Sequence, residues 1–378
     1  MARPTVTRAS ALPDLVAAIL DSPEFEQIIS EIEDARLTGR KGYGTRALLG
    51  AYLIKHLDVR ITWRRTAQAI AVSESLTAAC GGAPSEWACY RFGRKLLDQP
   101  LLRVKLISAL QAALRDLLPG YGMETVAVDA TDLNAYANGQ RTLWKDGPER
   151  EHYSDPDASW GHRSAISTRK GGGFYGFKPH AIVCAETELP IACIVEPANV
   201  HEARMLDALL RQVTKRGFKP KRIVGDKAYA GQPQHQICRD HGVIPLFNLP
   251  RLPEGKEYPD PTPTCPHGPM RWKGCETTGS RWRSKWVCPS GACETPTRWI
   301  EGARMNPLIP RGSERWKKLY SKRQAIERVF GRLKHHYGLQ PLRTRSLERV
   351  RLHTDMTLIA QLASRLAQER ARAAALAA

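Results

Sequence analysis

The sequence lacks any run of about 18 consecutive apolar residues, the length that a membrane-spanning helix requires. Its first 20 residues also lack a compact apolar stretch followed by small residues at a cleavage site. These two absences argue against a transmembrane helix and a secretory signal peptide. We therefore expect a mature cytosolic protein without a membrane partner.

Acidic residues are scarce relative to basic ones: 38 Asp and Glu against 57 Lys and Arg, a formal net charge of +19. The surplus is concentrated in two segments. Residues 311–352 hold 13 basic and 3 acidic residues, and residues 41–116 hold 12 and 5. A basic surplus clustered in this way is the electrostatic pattern of a nucleic-acid-binding protein. The alternative is a basic surface without a specific partner.

The nine cysteines include no pair in the CxxC spacing of a typical zinc ribbon. Four of them nevertheless fall within about 30 residues, at Cys265, Cys275, Cys288 and Cys293. In a cytosolic protein such a cluster favours a metal over a disulfide. Cys288 and Cys293 with Cys275 and either Cys265 or His267 would complete a tetrahedral zinc site. The alternative is a metal-free loop of reduced thiols.

The residue pattern divides the chain into four predicted segments. Residues 1–120 are predicted to be helical and basic, either a DNA-binding unit or a bundle packed on a catalytic domain. Residues 121–248 alternate between strands and helices, which indicates a mixed α/β sheet. Residues 249–305 form an insertion rich in cysteine, proline and tryptophan. Residues 306–378 are predicted to hold a long helix from Glu314 to Tyr337 and a last helix.

Tryptophans and cations are interleaved along the predicted insertion. The residues concerned are Arg271, Trp272, Arg281, Trp282, Arg283, Lys285 and Trp286. Two interpretations stay open. The rings and cations would suit DNA contact through base stacking and phosphate binding, or the tryptophans would build the small core of the insertion.

Two aspartates follow predicted strands of the α/β segment directly. Asp129 ends the strand that begins at Glu124, and Asp226 ends the strand that begins at Arg222. Carboxylates at the carboxyl edge of a sheet are well placed to share a ligand, and magnesium prefers carboxylate oxygens. Any single aspartate is also a common strand-end residue. Nearby competitors for the first position are Asp132, Asp155 and Asp157.

A third carboxylate, Glu327, lies on the predicted long helix. At about 100° per residue, Tyr320, Arg323 and Lys334 fall on the same stripe as Glu327. An Arg323–Glu327 pair on a solvated helix is the plain alternative. That alternative does not explain four different functional groups on one stripe.

The spacing Tyr320-x2-Arg323-x3-Glu327-x6-Lys334 resembles the YREK signature of a large group of bacterial DDE transposases. The segments VAVDATDLNAYANG at 126–139 and IVGDKAYAG at 223–231 resemble the first and second Asp motifs of that group. The resemblance covers about residues 40–345. It implies an α/β fold with a ribonuclease H-like mixed sheet flanked by helices, an N-terminal helical domain and an insertion. The short Cys-bearing insertion departs from the long β-rich one of some relatives.

The resemblance also implies a function and a site. Asp129, Asp226 and Glu327 would bind two Mg²⁺ or Mn²⁺ ions, and Tyr320, Arg323 and Lys334 would bind phosphates of double-stranded DNA. The expected activity is cleavage and strand transfer at insertion-sequence ends, by a homodimer or larger oligomer. A nuclease of the same fold and a DNA-binding protein with an inactive core are the alternatives.

Overall fold

The computed structural model describes residues 8–35, 42–60, 62–139, 153–163, 170–279 and 281–377. Every site residue predicted above lies in these ranges, whereas parts of the predicted segments 1–120, 121–248, 249–305 and 306–378 lie outside them. Within the described ranges, no helix has the length and hydropathy needed to cross a bilayer.

Seven helices occupy the described part of the N-terminal region. They are α1 Arg8–Leu20, α2 Pro23–Asp34, α3 Thr45–Leu57, α4 Trp63–Val72, α5 Glu74–Cys80, α6 Glu86–Asp98 and α7 Pro100–Leu117. Local sequence explains several helix ends. Pro23 occupies the first turn of α2, where its fixed backbone angle is favourable. The hydroxyls of Thr62 and Ser85 accept backbone N–H groups at the starts of α4 and α6.

A mixed sheet forms the centre of the molecule. Its strands are β1 Thr125–Ala130, β2 Leu133–Asn134, β3 Ser159–Arg163, β4 Gly172–Cys184, β5 Pro190–Pro197, β6 Arg222–Gly225 and β7 Ile244–Phe247. The hydrogen-bonded order is β2-β4-β1-β6-β7, and β3 and β5 also pair with β4. Strand β1 runs antiparallel to β4 and parallel to β6, which is parallel to β7. Helices α8 Leu206–Lys215 and α9 Gln232–Asp240 follow β5 and β6. The predicted α/β class, a mixed sheet flanked by helices and preceded by a helical region, is confirmed.

The two faces of the sheet are covered by different helices. On the first face, Val126 and Val128 of β1 join a core shared with α8, the N-terminal helices and the C-terminal helix. On the second face, Ala127 joins a core with Ile326, Val329 and other apolar residues that follow the insertion. Because side chains alternate along a strand, Asp129 shares the second face with Ala127.

The segment predicted as one long helix is interrupted. It consists of α10 Glu314–Tyr320, a 3-10 turn Ser321–Arg323 and α11 Gln324–His336. The Ser321 hydroxyl donates to the carbonyl of Lys318 at 2.9 Å, and this local bond competes with continuous α-helix. The prediction of an unbroken helix from Glu314 to Tyr337 is therefore wrong. Helix α12, Leu347–Ala377, ends the described chain.

The insertion forms two small antiparallel sheets. Strands β8 Thr264–Cys265 and β9 Gly268–Pro269 pair with each other, and β10 Arg271–Glu276, β11 Arg283–Val287 and β12 Thr297–Glu301 form a three-stranded sheet. Trp282 and Trp286 are buried, and the Trp272 indole donates to the carbonyl of Leu308 at 2.9 Å. Trp282 and Trp286 thus belong to the core of the insertion, as one of the two interpretations expects, and Trp272 attaches the insertion to the segment that follows it.

We expect Ile326→Ala to destabilise the protein by about 2–5 kcal/mol, because it opens a cavity between α11 and the sheet. Ile326 is fully buried, and it precedes Glu327 on the helix that positions this carboxylate. The measurement is chemical denaturation of the full chain. Leu376→Ala, at an exposed side chain, is the control and should change stability by no more than about 0.5 kcal/mol. Equal effects of the two substitutions would contradict this packing.

Candidate active site

Asp129 and Asp226 lie side by side at one edge of the sheet. Strands β1 and β6 pair in parallel, and Ala127 lies opposite Val224. Asp129 lies two residues further along β1 and Asp226 directly follows β6, and the two carboxyls are close enough that Asp226 raises the pKa of Asp129. A Cβ on Gly225 would lie 2.9 Å from Val128 and 3.0 Å from Phe247, so this close approach explains why glycine precedes Asp226.

The Asp129 carboxyl is largely buried, with 20% of the side chain exposed. Burial is the largest cause that raises its pKa to about 7, and repulsion from Asp226 and Glu202 contributes to the same rise. The Ala130 N–H donates to Asp129 at 2.8 Å and, with Arg323, opposes that rise. The ionised form of Asp129 is therefore unfavourable in this environment, and an added cation would stabilise it.

Asp226 is fixed by the backbone that follows it. Its carboxylate accepts the N–H of Ala228 at 2.8 Å and caps the 3-10 turn Lys227–Tyr229. The cap orients the carboxylate at the carboxyl end of β6, beside the end of β1.

Arg323 joins the helix to the sheet edge. One guanidinium nitrogen lies 2.6 Å from Glu327 and another lies 3.6 Å from Asp129. The predicted Glu327 therefore reaches the site of Asp129 through a shared arginine. The carboxylate oxygens of Asp129, Asp226 and Glu327 do not all lie within 4.8 Å of one another. Among the described residues, the one group of three or more possible metal ligands at that spacing is a cysteine–histidine cluster.

Tyr320 and Lys334 flank the carboxylates. Tyr320 stacks on Trp316, with ring centroids 6.2 Å apart, and burial raises the pKa of its hydroxyl, with smaller increases from Asp226 and Asp129. The Lys334 ammonium lies 3.6 Å from Asp132, which also binds Arg163 at 3.2 Å. Tyr320, Arg323 and Glu327 thus lie near Asp129, and Lys334 contacts Asp132, three residues further along the chain.

The competing aspartates have other partners. Asp132 is engaged by Lys334 and Arg163. Asp155 and Asp157 accept the N–H groups of Ser346 at 3.2 Å and Leu347 at 2.8 Å. The latter two carboxylates lie at the start of α12, where the helix dipole favours negative charge. These contacts indicate a structural role for the three competing aspartates.

Two groups near the acids were missed by the sequence argument. Glu202 begins the 3-10 turn after β5, binds Lys178 at 3.5 Å and raises the pKa of Asp129. Tyr229 is fully buried, and its hydroxyl has no hydrogen-bond partner among the described residues. Burial raises the Tyr229 pKa, and Asp129 and Glu202 raise it further. Tyr229 lies three residues after Asp226, on the turn that Asp226 caps, and this spacing was the available clue.

The four cysteines of the insertion do not form the predicted set. Cys265, Cys288 and Cys293 gather with His267, and their ligand atoms all lie within 4.8 Å of one another. Cys275 lies outside this group, because it lies next to the carboxyl end of β10, where it pairs with Ser284, whereas Arg271 at the other end pairs with Val287 beside Cys288. His267, named as the alternative to Cys265, instead joins it.

We expect the Asp129 carboxyl of the metal-free protein to titrate near pH 7, and Asp226→Asn to lower its pKa while leaving it above 3.8, since burial remains the largest cause. Carbon-13 NMR of the carboxyl group measures this. Asp240→Asn, at an exposed residue of α9, is the control.

The same shift has a consequence for stability. Because the folded pKa exceeds the unfolded value of 3.8, the folded state binds more protons, so this carboxyl lowers stability as pH rises from about 4 to 7. Asp129→Asn should therefore stabilise the metal-free protein at pH 8 more than at pH 4. An equal effect at both pH values would show that the carboxyl is not buried among like charges.

Comparison with known proteins identifies the family. No curated protein matches the chain. Among solved structures, the chain is similar to a piggyBac transposase in a synaptic complex with hairpin DNA, at 10% identity and a TM-score of 0.40, over 94% of this chain and 74% of that one. A similarity this low does not bear on the fold or the function of the chain. The family model of the transposase DDE domain matches residues 120–362, a range that contains the whole acidic edge, and the chain therefore belongs to the transposase DDE domain family.

Proposed function

We propose that this protein is a DNA transposase that cleaves and joins strands at the ends of an insertion sequence. The observation that carries the proposal is the acidic sheet edge, where Asp129 and Asp226 adjoin an arginine-linked Glu327 inside a transposase DDE domain. Acidic residues without a nucleophilic side chain suit phosphoryl transfer, in which positioning and charge neutralisation dominate.

The donor set at this edge fits hard divalent cations. Carboxylate oxygens are the preferred ligands of Mg²⁺ and Mn²⁺. The pKa of Asp129 is raised first by burial and then by Asp226 and Glu202, and Arg323 only partly opposes that rise. We propose that Asp129, Asp226 and Glu327 hold two such ions. When bound, the ions would activate water and neutralise charge on the phosphate.

The two proposed reactions differ in their bond balance. Cleavage breaks a phosphodiester bond, whereas joining replaces one phosphodiester bond by another. In cleavage, a water oxygen attacks phosphorus, the P–O3′ bond breaks, and the 3′ oxygen takes up a proton. In joining, that 3′ hydroxyl attacks a phosphorus of the target strand, and one P–O bond replaces another. No external energy source is required for the second step.

The cations on the helix stripe have two successive tasks in this proposal. In the structure the Arg323 guanidinium forms ion pairs with Asp129 and Glu327. Once those carboxylates have other partners, its guanidinium is free to bind a DNA phosphate in a bidentate manner. Tyr320 and Lys334, on either side, would position the same strand.

A second DNA contact is proposed where the two basic segments meet. Cations of both segments and several aromatic rings line a cavity of about 550 Å³. They include Lys55, Arg94, Arg343, Arg345, Arg349, Tyr52, Trp63, Tyr90 and Tyr136. The Arg343 and Arg345 guanidinium groups lie 5.2 and 5.4 Å from the Tyr136 ring centroid. Cations beside exposed rings suit phosphates and bases together, which favours a DNA-binding role for the helical region, in the proposed segment 1–120.

We expect Asp226→Asn to reduce magnesium-dependent cleavage and joining by at least about a hundredfold, because loss of a direct ligand costs more than loss of a supporting partner. The substrate is plasmid DNA carrying the sequences that flank this gene, and gel electrophoresis separates nicked, cut and joined products. Asp240→Asn serves as the charge-matched control.

Each alternative function has its own outcome in this assay. Cut products without joined strands would indicate a nuclease of the same fold. Magnesium-independent DNA binding without any cleavage would indicate a binding protein with an inactive core. Unchanged activity of Asp226→Asn would refute the proposed site. If two variants with different defects restored activity when mixed, this complementation would support a homodimer or larger oligomer.

We expect Arg343→Ala to weaken DNA binding and to reduce the slope of log K against log salt by about 0.9, the value for one lost phosphate contact. Fluorescence anisotropy over a range of salt concentrations gives this slope. Arg211→Ala, at an exposed arginine that does not line the cavity, should leave it unchanged. Equal slopes for wild type and Arg343→Ala would place the DNA elsewhere.

A further inference from the structure

The tip of the insertion brings four metal-ligating side chains together from two loops. Cys265 and His267 belong to the β8–β9 hairpin, and Cys288 and Cys293 belong to the loop between β11 and β12. Their ligand atoms all lie within 4.8 Å of one another, although the two loops are separated by about 20 residues of chain. Local sequence does not bring these groups into contact, so the fold itself assembles them.

The spacing of these atoms is that of a tetrahedral zinc shell. Ligands at about 2.3 Å for sulfur and 2.0–2.1 Å for nitrogen lie about 3.5–3.8 Å apart around one tetrahedral ion. The Cys265 and Cys288 sulfurs are 3.7 Å apart. Nδ1 of His267 lies 3.7 Å from Cys288 and 3.2 Å from Cys293. A disulfide would need sulfurs about 2.05 Å apart, and all four cysteines of the insertion are free.

A neighbouring hydroxyl supports a thiolate at Cys288. The Ser290 hydroxyl oxygen lies 3.3 Å from the Cys288 sulfur. The same oxygen accepts the N–H of Ala292 at 3.2 Å. The hydroxyl carries one proton, and with the Ala292 N–H bound to its oxygen it can direct that proton at the sulfur. A donor placed in this way stabilises a metal-bound thiolate and orients it.

The hairpin that carries two of the ligands is short. At its base the Met270 N–H donates to the Pro263 carbonyl at 2.8 Å, and Arg298 of β12 donates to the Thr264 carbonyl at 3.4 Å. Strands β8 and β9 pair through only two residue pairs, Thr264 with Pro269 and Cys265 with Gly268. Two-stranded hairpins are marginal without further support. The three-stranded sheet, by contrast, has buried tryptophans and an ion pair between Glu301 and Arg239 at 2.7 Å. A metal ion at the cluster would fasten the weak hairpin to the end of the stable sheet.

We propose that Cys265, His267, Cys288 and Cys293 bind one structural Zn²⁺ ion that fixes the tip of the insertion. Three thiolates and one imidazole close the shell, as in structural rather than catalytic zinc sites. Cys275 has no part in it. The proposal does not depend on whether the chain transposes DNA, because the site is assembled by the insertion alone.

The test is the metal content of the full-length protein, purified under reducing conditions from zinc-supplemented cells. We expect about one zinc per chain in the wild type and in Cys275→Ser. Cys288→Ser should lower zinc affinity at least about a hundredfold. Replacement by cobalt should give the intense visible bands of a tetrahedral site and thiolate-to-cobalt charge transfer. His267→Cys should retain the metal and strengthen the charge-transfer band, since it adds a fourth sulfur.

A wild-type measurement decides the matter if Cys288→Ser fails to fold. Mass spectrometry after thiol labelling, with and without a strong chelator, identifies which cysteines become reactive. The proposal expects Cys265, Cys288 and Cys293 to be protected until the chelator removes zinc, and Cys275 to react equally in both samples. A folded wild type without zinc, or protection that includes Cys275 and omits Cys265, would overturn the proposal.

Discussion

Burial of the Asp129 carboxyl beside other carboxylates, at the carboxyl end of β1, is the constraint on which the proposed function depends. The parallel pairing of β1 and β6 places Asp129 beside Asp226, and Glu202 adds a third negative charge close enough to raise the pKa of Asp129. A sheet edge of this kind is costly for a metal-free protein. It persists because Arg323 supplies positive charge to Asp129 and to Glu327. The arginine thus acts as an internal counter-ion for the residues proposed to bind divalent ions.

This arrangement links the fold to its proposed chemistry. Helix α11 packs on the second face of the sheet through Ile326 and Val329, and the 3-10 turn before it brings Arg323 to the carboxyl end of β1. The insertion separates Asp226 from Glu327 in sequence, but it packs as small β sheets that leave this edge intact. Helix α11 carries both the apolar residues that pack on the sheet and Glu327. The packing of the helix and the position of the Glu327 carboxylate are therefore coupled.

Much of this architecture could be predicted from sequence, because it depends on local patterns. Apolar runs ending in Asp129 and Asp226 indicated the two strands, and the spacing around Glu327 indicated a functional helix face. The break at Ser321–Arg323 was not predictable from periodicity, since a single side-chain hydrogen bond to the Lys318 carbonyl accompanies it. Glu202 was missed for a different reason: its proximity to Asp129 arises only when the segment after β5 returns to the sheet.

The zinc ligands show the same limit of sequence reasoning. Four cysteines within a short insertion were the visible pattern, but pairing of β10 with β11 fixes Cys275 at the end of β10 that lies away from Cys288. His267 lies on the β8–β9 turn and takes its place. Spacing had left Cys265 and His267 as alternatives beside Cys275, whereas strand register, which depends on contacts across the insertion, brings both alternatives into the cluster and leaves Cys275 out.

The central claim concerns the charge balance around Arg323, and manganese-soaked crystals of the protein with DNA test it most directly. Anomalous scattering locates Mn²⁺ independently of any assumption about ligands. The account predicts manganese peaks in contact with Asp129, Asp226 and Glu327, and an Arg323 guanidinium that has moved from these carboxylates to a phosphate oxygen. Manganese absent from this edge, with Arg323 still bridging Asp129 and Glu327 in the DNA complex, would contradict it.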